Sequence, residues 1–283
     1  MNIMSEVKQR GEEYYEIMQK IYEEAIKLHK ENNFGGRRIS KIIEEKYGIK
    51  LHWTIKGWIY KGKHPLGNSK KVKLCRELAY VIGAWLGDGT LAYYRRRSNY
   101  LIKLKVKDYD FAKEYGRCAG IANGNPVPYR PIREKHDGKY SVKFCNVQLF
   151  YLLKKSKENP WILMPYIKLF PAEVCRGFFD SEGSPSFNGK YCFVIARNDN
   201  LELLKMIAEL LKSLGMSTKI YTTKITSKTK IIKGIIARRN VDKTYILYIQ
   251  KKEGTIKFYK LIGFEIKRKQ EKLRQALLAL GWI

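Results

Sequence analysis

The chain has 283 residues, 45% of them hydrophobic, and carries 56 Lys and Arg against 27 Asp and Glu, a formal net charge of +29. That apolar content excludes disorder as the default and suffices for one large domain or for a core with a smaller module. The charge points to a polyanion, nucleic acid foremost, because lysine-rich surfaces adapted to heat normally balance lysine with glutamate, and this one does not.

The five cysteines, Cys75, Cys118, Cys145, Cys175 and Cys192, form no CxxC pair and are odd in number. With four scattered histidines, this argues for a reducing compartment and against a zinc site. The N-terminus is charged by Glu6, and no apolar run approaches the roughly 18 residues of a membrane span. A soluble, cytoplasmic protein is expected.

Residues 5–31 read as an amphipathic helix with Tyr14, Met18, Ile21, Ala25 and Leu28 on one stripe. Ile39, Ile42, Ile43 and Tyr47 suit a second helix, Gly48 a turn, and Ile55, Trp58 and Ile59 the buried face of a third. This resembles a helix-turn-helix with a long turn, and would expose His52, Thr54 and Lys56 on a recognition helix; the plainer reading is an ordinary helical hairpin. Pro, Gly, Asn, Ser and charge between Lys61 and Lys71 mark a linker.

A helix near Glu77–Leu86 then leads into strands near Thr90–Tyr94 and Tyr100–Lys107. A helix over Tyr109–Ala119, strands near Pro128–Glu134 and Lys139–Phe144, and a helix over Val147–Lys154 close the unit. The order restarts before strand Tyr191–Arg197, helix Asn200–Leu214, strands Lys219–Thr226 and Tyr245–Gln250, and C-terminal helices; the stretch from Ile225 to Val241 is less clear. The expected fold is α+β: a duplication of αββαββα units about a pseudo-two-fold axis, with antiparallel saddle-shaped sheets and a small all-α N-terminal domain. The expected divisions are 1–62, a linker at 63–76, and repeats at 77–160 and 161–283.

Alternation supplies the first functional signal. Ile102, Leu104 and Val106 point one way, while Lys103, Lys105 and Lys107 point the other; Val142 and Phe144 likewise oppose Ser141, Lys143 and Cys145. An unbroken cationic row suits a saddle against a phosphate backbone.

The second signal is a matched pair of segments. VIGAWLGDG, Val81–Gly89, and CRGFFDSEG, Cys175–Gly183, share a glycine in third place (Gly83, Gly177), a small residue in seventh (Gly87, Ser181), an acid in eighth (Asp88, Glu182) and a final glycine. Small residues about four apart let two helix backbones approach closely, which would bring both acidic ends together. Carboxylates at helix C-termini are unfavourable and repel each other, so a divalent cation held between them is the natural reading. Surface acids or caps would be the alternative for either segment alone.

These residues resemble a single-chain, two-repeat LAGLIDADG (dodecapeptide) homing endonuclease over about Glu77–Trp282. Trp85-Leu86 replace Ile-Asp in the first motif, and Phe178-Phe179-Asp180-Ser181 stand for Leu-Ile-Asp-Ala in the second, while both eighth-place acids survive. The resemblance implies that Asp88 and Glu182 coordinate Mg²⁺, each serving one strand of double-stranded DNA across a minor groove. It implies sheets that read a long site in the major groove and a monomer that makes a staggered double-strand break. It also implies a basic side chain near the attacking water, for which Lys103, Lys105, Lys190 and Arg197 are candidates; Lys103, Lys105, Lys107, Lys143 and Arg197 are expected to bind DNA. Asp180 is expected to be structural. The competing readings are a regulator that binds DNA without cutting and a maturase acting on intron RNA.

Overall fold

The computed structural model describes residues 12–65, 72–94, 99–225, 229–232, 235–238 and 242–283. Residues 5–11 of the expected first helix, residues 66–71 of the linker and parts of the 225–241 stretch lie outside them. The chain divides into two units, Met1–Ser69 and Lys70–Ile283.

The first unit contains helices α1 (Glu12–Asn32), α2 (Gly36–Tyr47) and α3 (His52–Lys61). Met18, Ile21 and Ala25 of α1, Ile39 and Ile43 of α2, and Ile55 and Trp58 of α3 form one core, with Ile49 from the α2–α3 turn. Gly48 ends α2 in the left-handed region at φ 69°, where its N–H reaches Glu44 O, a conformation glycine adopts without a Cβ penalty. Lys46 Nζ and Tyr47 Oη both donate to Glu24, at 2.8 and 2.6 Å, and tie α2 to α1.

The second unit repeats one order of elements. Its first half runs α4 (Arg76–Asp88), β1 (Gly89–Tyr94), β2 (Asn99–Val106), α5 (Tyr109–Ala122), β3 (Ile132–Arg133), β4 (Tyr140–Cys145) and α6 (Val147–Ser156). A 3₁₀ turn and the short α7 (Met164–Ile167) lead to the second half. That half runs α8 (Pro171–Glu182), β5 (Gly183–Phe187), β6 (Cys192–Asn198), α9 (Leu201–Ser213), β7 (Thr218–Lys224), β8 (Thr229–Ile232), β9 (Ile235–Arg238), β10 (Lys243–Ile249) and α10 (Lys252–Lys257). A helix, α11 (Lys267–Ala279), follows.

The strands form two four-stranded antiparallel sheets, ordered β1-β2-β4-β3 and β5-β6-β10-β7, with β8 and β9 paired separately. Apart from that inserted hairpin, the sheets have equivalent orders. Ile102, Leu104 and Val106 on β2 and Cys192, Val194 and Ala196 on β6 are buried, so each sheet turns one face to the core.

The strand expected over Pro128–Glu134 shrinks to Ile132–Arg133. Pro128 and Pro131 have no N–H to give a ladder, and Tyr129 N donates instead to Gly116 O at the crossing with α5.

Candidate active site

The site begins where α4 and α8 cross. A Cβ on Gly83 would stand 2.1 Å from Val174 O, and one on Gly177 would stand 2.3 Å from Tyr80 O and 2.7 Å from Ala84 N. Only glycine permits such backbone proximity. One turn on, Ser181 Oγ donates to Ala84 O at 2.9 Å, and a Cβ on Gly87 would meet Ser181 Cβ at 2.3 Å and Glu182 Cγ at 3.0 Å. The Glu182 side chain therefore runs past the residue that precedes Asp88. Each helix ends on its acid, and a strand begins at the next residue.

Glu182 feels the charge of Asp88. Burial, followed by the charge of Asp88, pushes the half-buried Glu182 up to about 7, against the Asn198 amide and the Lys269 ammonium, which pull it down. Asn198 Nδ2 donates to Glu182 Oε1 at 3.2 Å. Asp88 lies at the surface, yet the protein packed around it still raises its carboxyl above the ordinary range, opposed by Lys269 and Lys139.

Beneath this pair sits a fully enclosed layer. Asp180, 1% exposed, accepts from Tyr80 Oη at 2.9 Å, Glu265 N at 2.9 Å and Ile266 N at 3.3 Å, and so fixes the backbone that leads into α11. Burial raises its carboxyl to about 7, while Tyr80, the Ile266 amide and Lys269 pull the other way. Lys269, 8% exposed, sends its ammonium to Phe179 O at 3.2 Å and Asp180 O at 2.5 Å, carbonyls in the last turn of α8. There it offsets the negative helix end that carries Glu182. The first half holds α11 as well: Lys267 N donates to Asp110 Oδ2 at 2.7 Å, and Arg268 Nε and Nη2 donate to Asp108, both at 2.7 Å.

Strand register sorts the basic candidates. Gly89 pairs with Leu104 and Gly183 with Ala196, so Lys105 and Arg197 each sit one residue beyond the partner of a motif glycine. They hold equivalent positions in the two halves, at the level of the acids. Lys103 lies two residues before Lys105 on β2. Lys190 lies in the β5–β6 turn, at the opposite end of that hairpin from Glu182, which removes it from the site.

The unbroken cationic row expected on the first sheet is corrected. Lys103 and Lys143 both approach Glu134, at 3.6 and 3.2 Å, and Lys105 holds Asp137 at 2.9 Å. The β3–β4 hairpin folds its acids back over the lysines, a return that alternation along one strand does not reveal. Lys107 is exposed just past β2.

In the first unit, Thr54 is exposed while His52 and Lys56 are half-buried; the large apolar side chain α3 presents most openly is Trp53, 80% exposed. Lys269, Lys139, Asn198 and Trp53 were all absent from the sequence-based site. Lys269 had a usable signal, since it continues the buried stripe of Leu273, Ala276 and Leu277 one turn upstream, and so did Trp53, which is out of phase with the buried Ile55 and Trp58.

Residues 170–263 match a family described as a LAGLIDADG-like domain. Over 255 residues the chain is 31% identical to the uncharacterized protein MJ0398 of Methanocaldococcus jannaschii, spanning 89% of this chain and 91% of that one. It is 28% identical over 162 residues to the homing endonuclease I-ApeI of Aeropyrum pernix, spanning 51% of this chain and 69% of that one. Residues 170–263 are therefore a LAGLIDADG-like domain. A crystal structure of I-DmoI in complex with DNA and Ca is also similar, with a TM-score of 0.49 and 18% identity over 71% of this chain and 97% of that one. The LAGLIDADG match begins just before α8 and contains Glu182; Asp88 lies outside it. No helix among the described residues is long and apolar enough to cross a membrane.

Proposed function

We propose that this protein is a site-specific DNA endonuclease that makes a staggered double-strand break, with Asp88 and Glu182 as its paired metal ligands. The observation that carries this reading is the placement of both acids at the ends of two helices in close backbone contact, one carboxylate raising the proton affinity of the other, in a chain of net charge +29. Among the described residues no group of three or more His, Cys, Asp or Glu is gathered, so the site offers two hard oxygen ligands and little else. That donor set fits Mg²⁺, which is held by one or two carboxylates and takes its other ligands from water and phosphate oxygens. A bound Mg²⁺ would supply Lewis-acid stabilisation and lower the pKa of an attacking water.

The chain's own groups do the remainder. Asn198 holds one oxygen of Glu182 and leaves the other for the cation. Lys269 and Asp180 fix the α8 end from below. Lys105 and Arg197, level with the acids on opposite halves, are the basic side chains best placed to meet the scissile phosphates, one per strand. Because both acids belong to one chain, a monomer completes the site. The outer faces of the sheets, with Lys103, Lys107 and Lys143, would follow the DNA backbone and major groove. The segment 1–62, joined through 63–76 to repeats at 77–160 and 161–283, would act as a helix-turn-helix-like module with His52, Thr54 and Lys56 against the DNA. We place the protein in the cytoplasm, consistent with five free cysteines.

The test uses DNA from the gene's own locus with the open reading frame and any intron deleted, incubated with the protein in Mg²⁺, Ca²⁺ or EDTA. A discrete, staggered, Mg²⁺-dependent cut is expected. Asp88→Asn and Glu182→Gln should each nearly abolish it while leaving DNA binding intact. Specific binding without a cut in any condition would overturn the endonuclease reading in favour of a regulator, and parental rates in both variants would overturn the site.

A further inference from the structure

The first unit segregates its charges. Between Gly48 and Pro65 the sequence holds Lys50, Lys56, Lys61 and Lys63 and no acid, whereas α1 sets Glu12, Glu13, Glu16, Glu23, Glu24 and Glu31 against Lys20, Lys27 and Lys30. On α3, Ile55 and Trp58 enter the core, while Trp53, in the first turn, is 80% exposed. An isolated exposed apolar side chain is ordinary. This one is flanked: Lys56 Nζ stands 5.1 Å from the centroid of its ring, and the His52 ring lies edge-on at 5.4 Å. Lys56 is itself directed by the crossing with α2, where a Cβ on Gly36 would lie 3.0 Å from Lys56 Cγ.

We propose that Trp53 is the base-reading residue of the first unit: α3 enters the major groove of double-stranded DNA by its N-terminal turn, the indole packs on thymine methyl groups, and Lys56 contacts an adjacent phosphate. Four features favour DNA over a protein partner. The first turn of a recognition helix is the part that reaches base edges. The thymine methyl is the apolar landmark of the major groove, and a flat ring is well suited to it. The ring's own contacts are the Lys56 ammonium and the His52 ring, and the other large exposed side chain of α3, Tyr60, lies two turns away with its hydroxyl accepting from Gly36 N, so the apolar surface here is a single indole in polar company rather than a broad patch. The segment's four lysines match phosphate.

The inference rests on the DNA-binding reading, and the experiment separates the two. A randomised duplex library, long enough to span both units, is selected with the full-length chain, with Trp53→Ala and with Trp53→Phe. The parent should enrich a site in two blocks. Trp53→Ala should lose one short thymine-containing block, keep the other, and bind the parent's selected duplex about tenfold more weakly; Trp53→Phe should keep both. Because the side chain is largely solvent-exposed, thermal unfolding should be unchanged. Enrichment of the same sequence with the same affinity by Trp53→Ala overturns the assignment, as does an equal loss of affinity for every sequence. If the parent enriches nothing, the DNA-binding reading falls and takes this one with it.

Discussion

Replacing Gly177 by alanine tests the helix crossing on which the site depends. The new methyl would stand 2.3 Å from Tyr80 O, 1.1 Å short of the 3.4 Å at which ordinary contact begins, and 2.7 Å from Ala84 N. Both obstacles are backbone atoms of a helix, so neither can rotate aside, and α4 and α8 must part. Overpacking a core costs about 1–3 kcal/mol, and an obstacle of backbone places this variant at the upper end. For a unit of this size, about 3 kcal/mol lowers Tm by about 6–12 °C. Scanning calorimetry on the parent and Gly177→Ala chains measures that directly. A second readout follows at a temperature where both remain folded: displacing one acid by about 1 Å should slow cleavage about 100-fold. A variant that melts within about 2 °C of the parent would refute the reasoning, since the helices could not then be in backbone contact.

Lys269→Met leaves two helix-end carbonyls and the buried Asp180 without their cation, and should cost about 3 kcal/mol in urea unfolding with an unchanged m-value. An unmoved midpoint would mean the ammonium is not anchored there. Folded Glu182 ionises at about 7 rather than 4.5, so the folded chain holds this proton more tightly than the unfolded one. That stabilising contribution is complete below about pH 4.5 and is lost as pH rises through about 7. In EDTA, Glu182→Gln should therefore be more stable than the parent at about pH 8 and no better at about pH 4, and unfolding curves across that range that show no such trend would count against the coupling. Removing residues 1–69 should weaken DNA binding and flatten its salt dependence while cleavage persists at saturating protein; abolished cutting would argue against that division of labour.

The motif glycines and acids were legible because they occur twice. One acid before a glycine is noise, but two matched segments predict a crossing, and the crossing puts Asp88 beside Glu182. The αββαββα order was legible for a related reason, since alternation on β2 and β6 is strict. What the sequence concealed was brought in from a distance. Lys269 lies in a run of charge that looks solvated, and only its phase relative to Leu273 and Leu277 says otherwise. Glu134 and Asp137 reach Lys103, Lys105 and Lys143 through a hairpin whose return path alternation does not encode. On α3 the expected residues were His52, Thr54 and Lys56, without Trp53, which the helix phase set by Ile55 and Trp58 turns outward.

The acids folded over the first sheet also set how that face deals with a polyanion. Lys103, Lys105 and Lys143 already have carboxylates at 3.6, 2.9 and 3.2 Å. A phosphate arriving there must exchange with Glu134 or Asp137 rather than fall onto bare ammonium groups, and the displaced acids then repel it unless they find partners of their own. The exchange gains little for a chain that merely carries charge and more for one whose shape lets the acids re-pair. A surface that would otherwise hold any nucleic acid is thereby given a threshold, and charge is left to gather the polyanion while fit decides whether it stays.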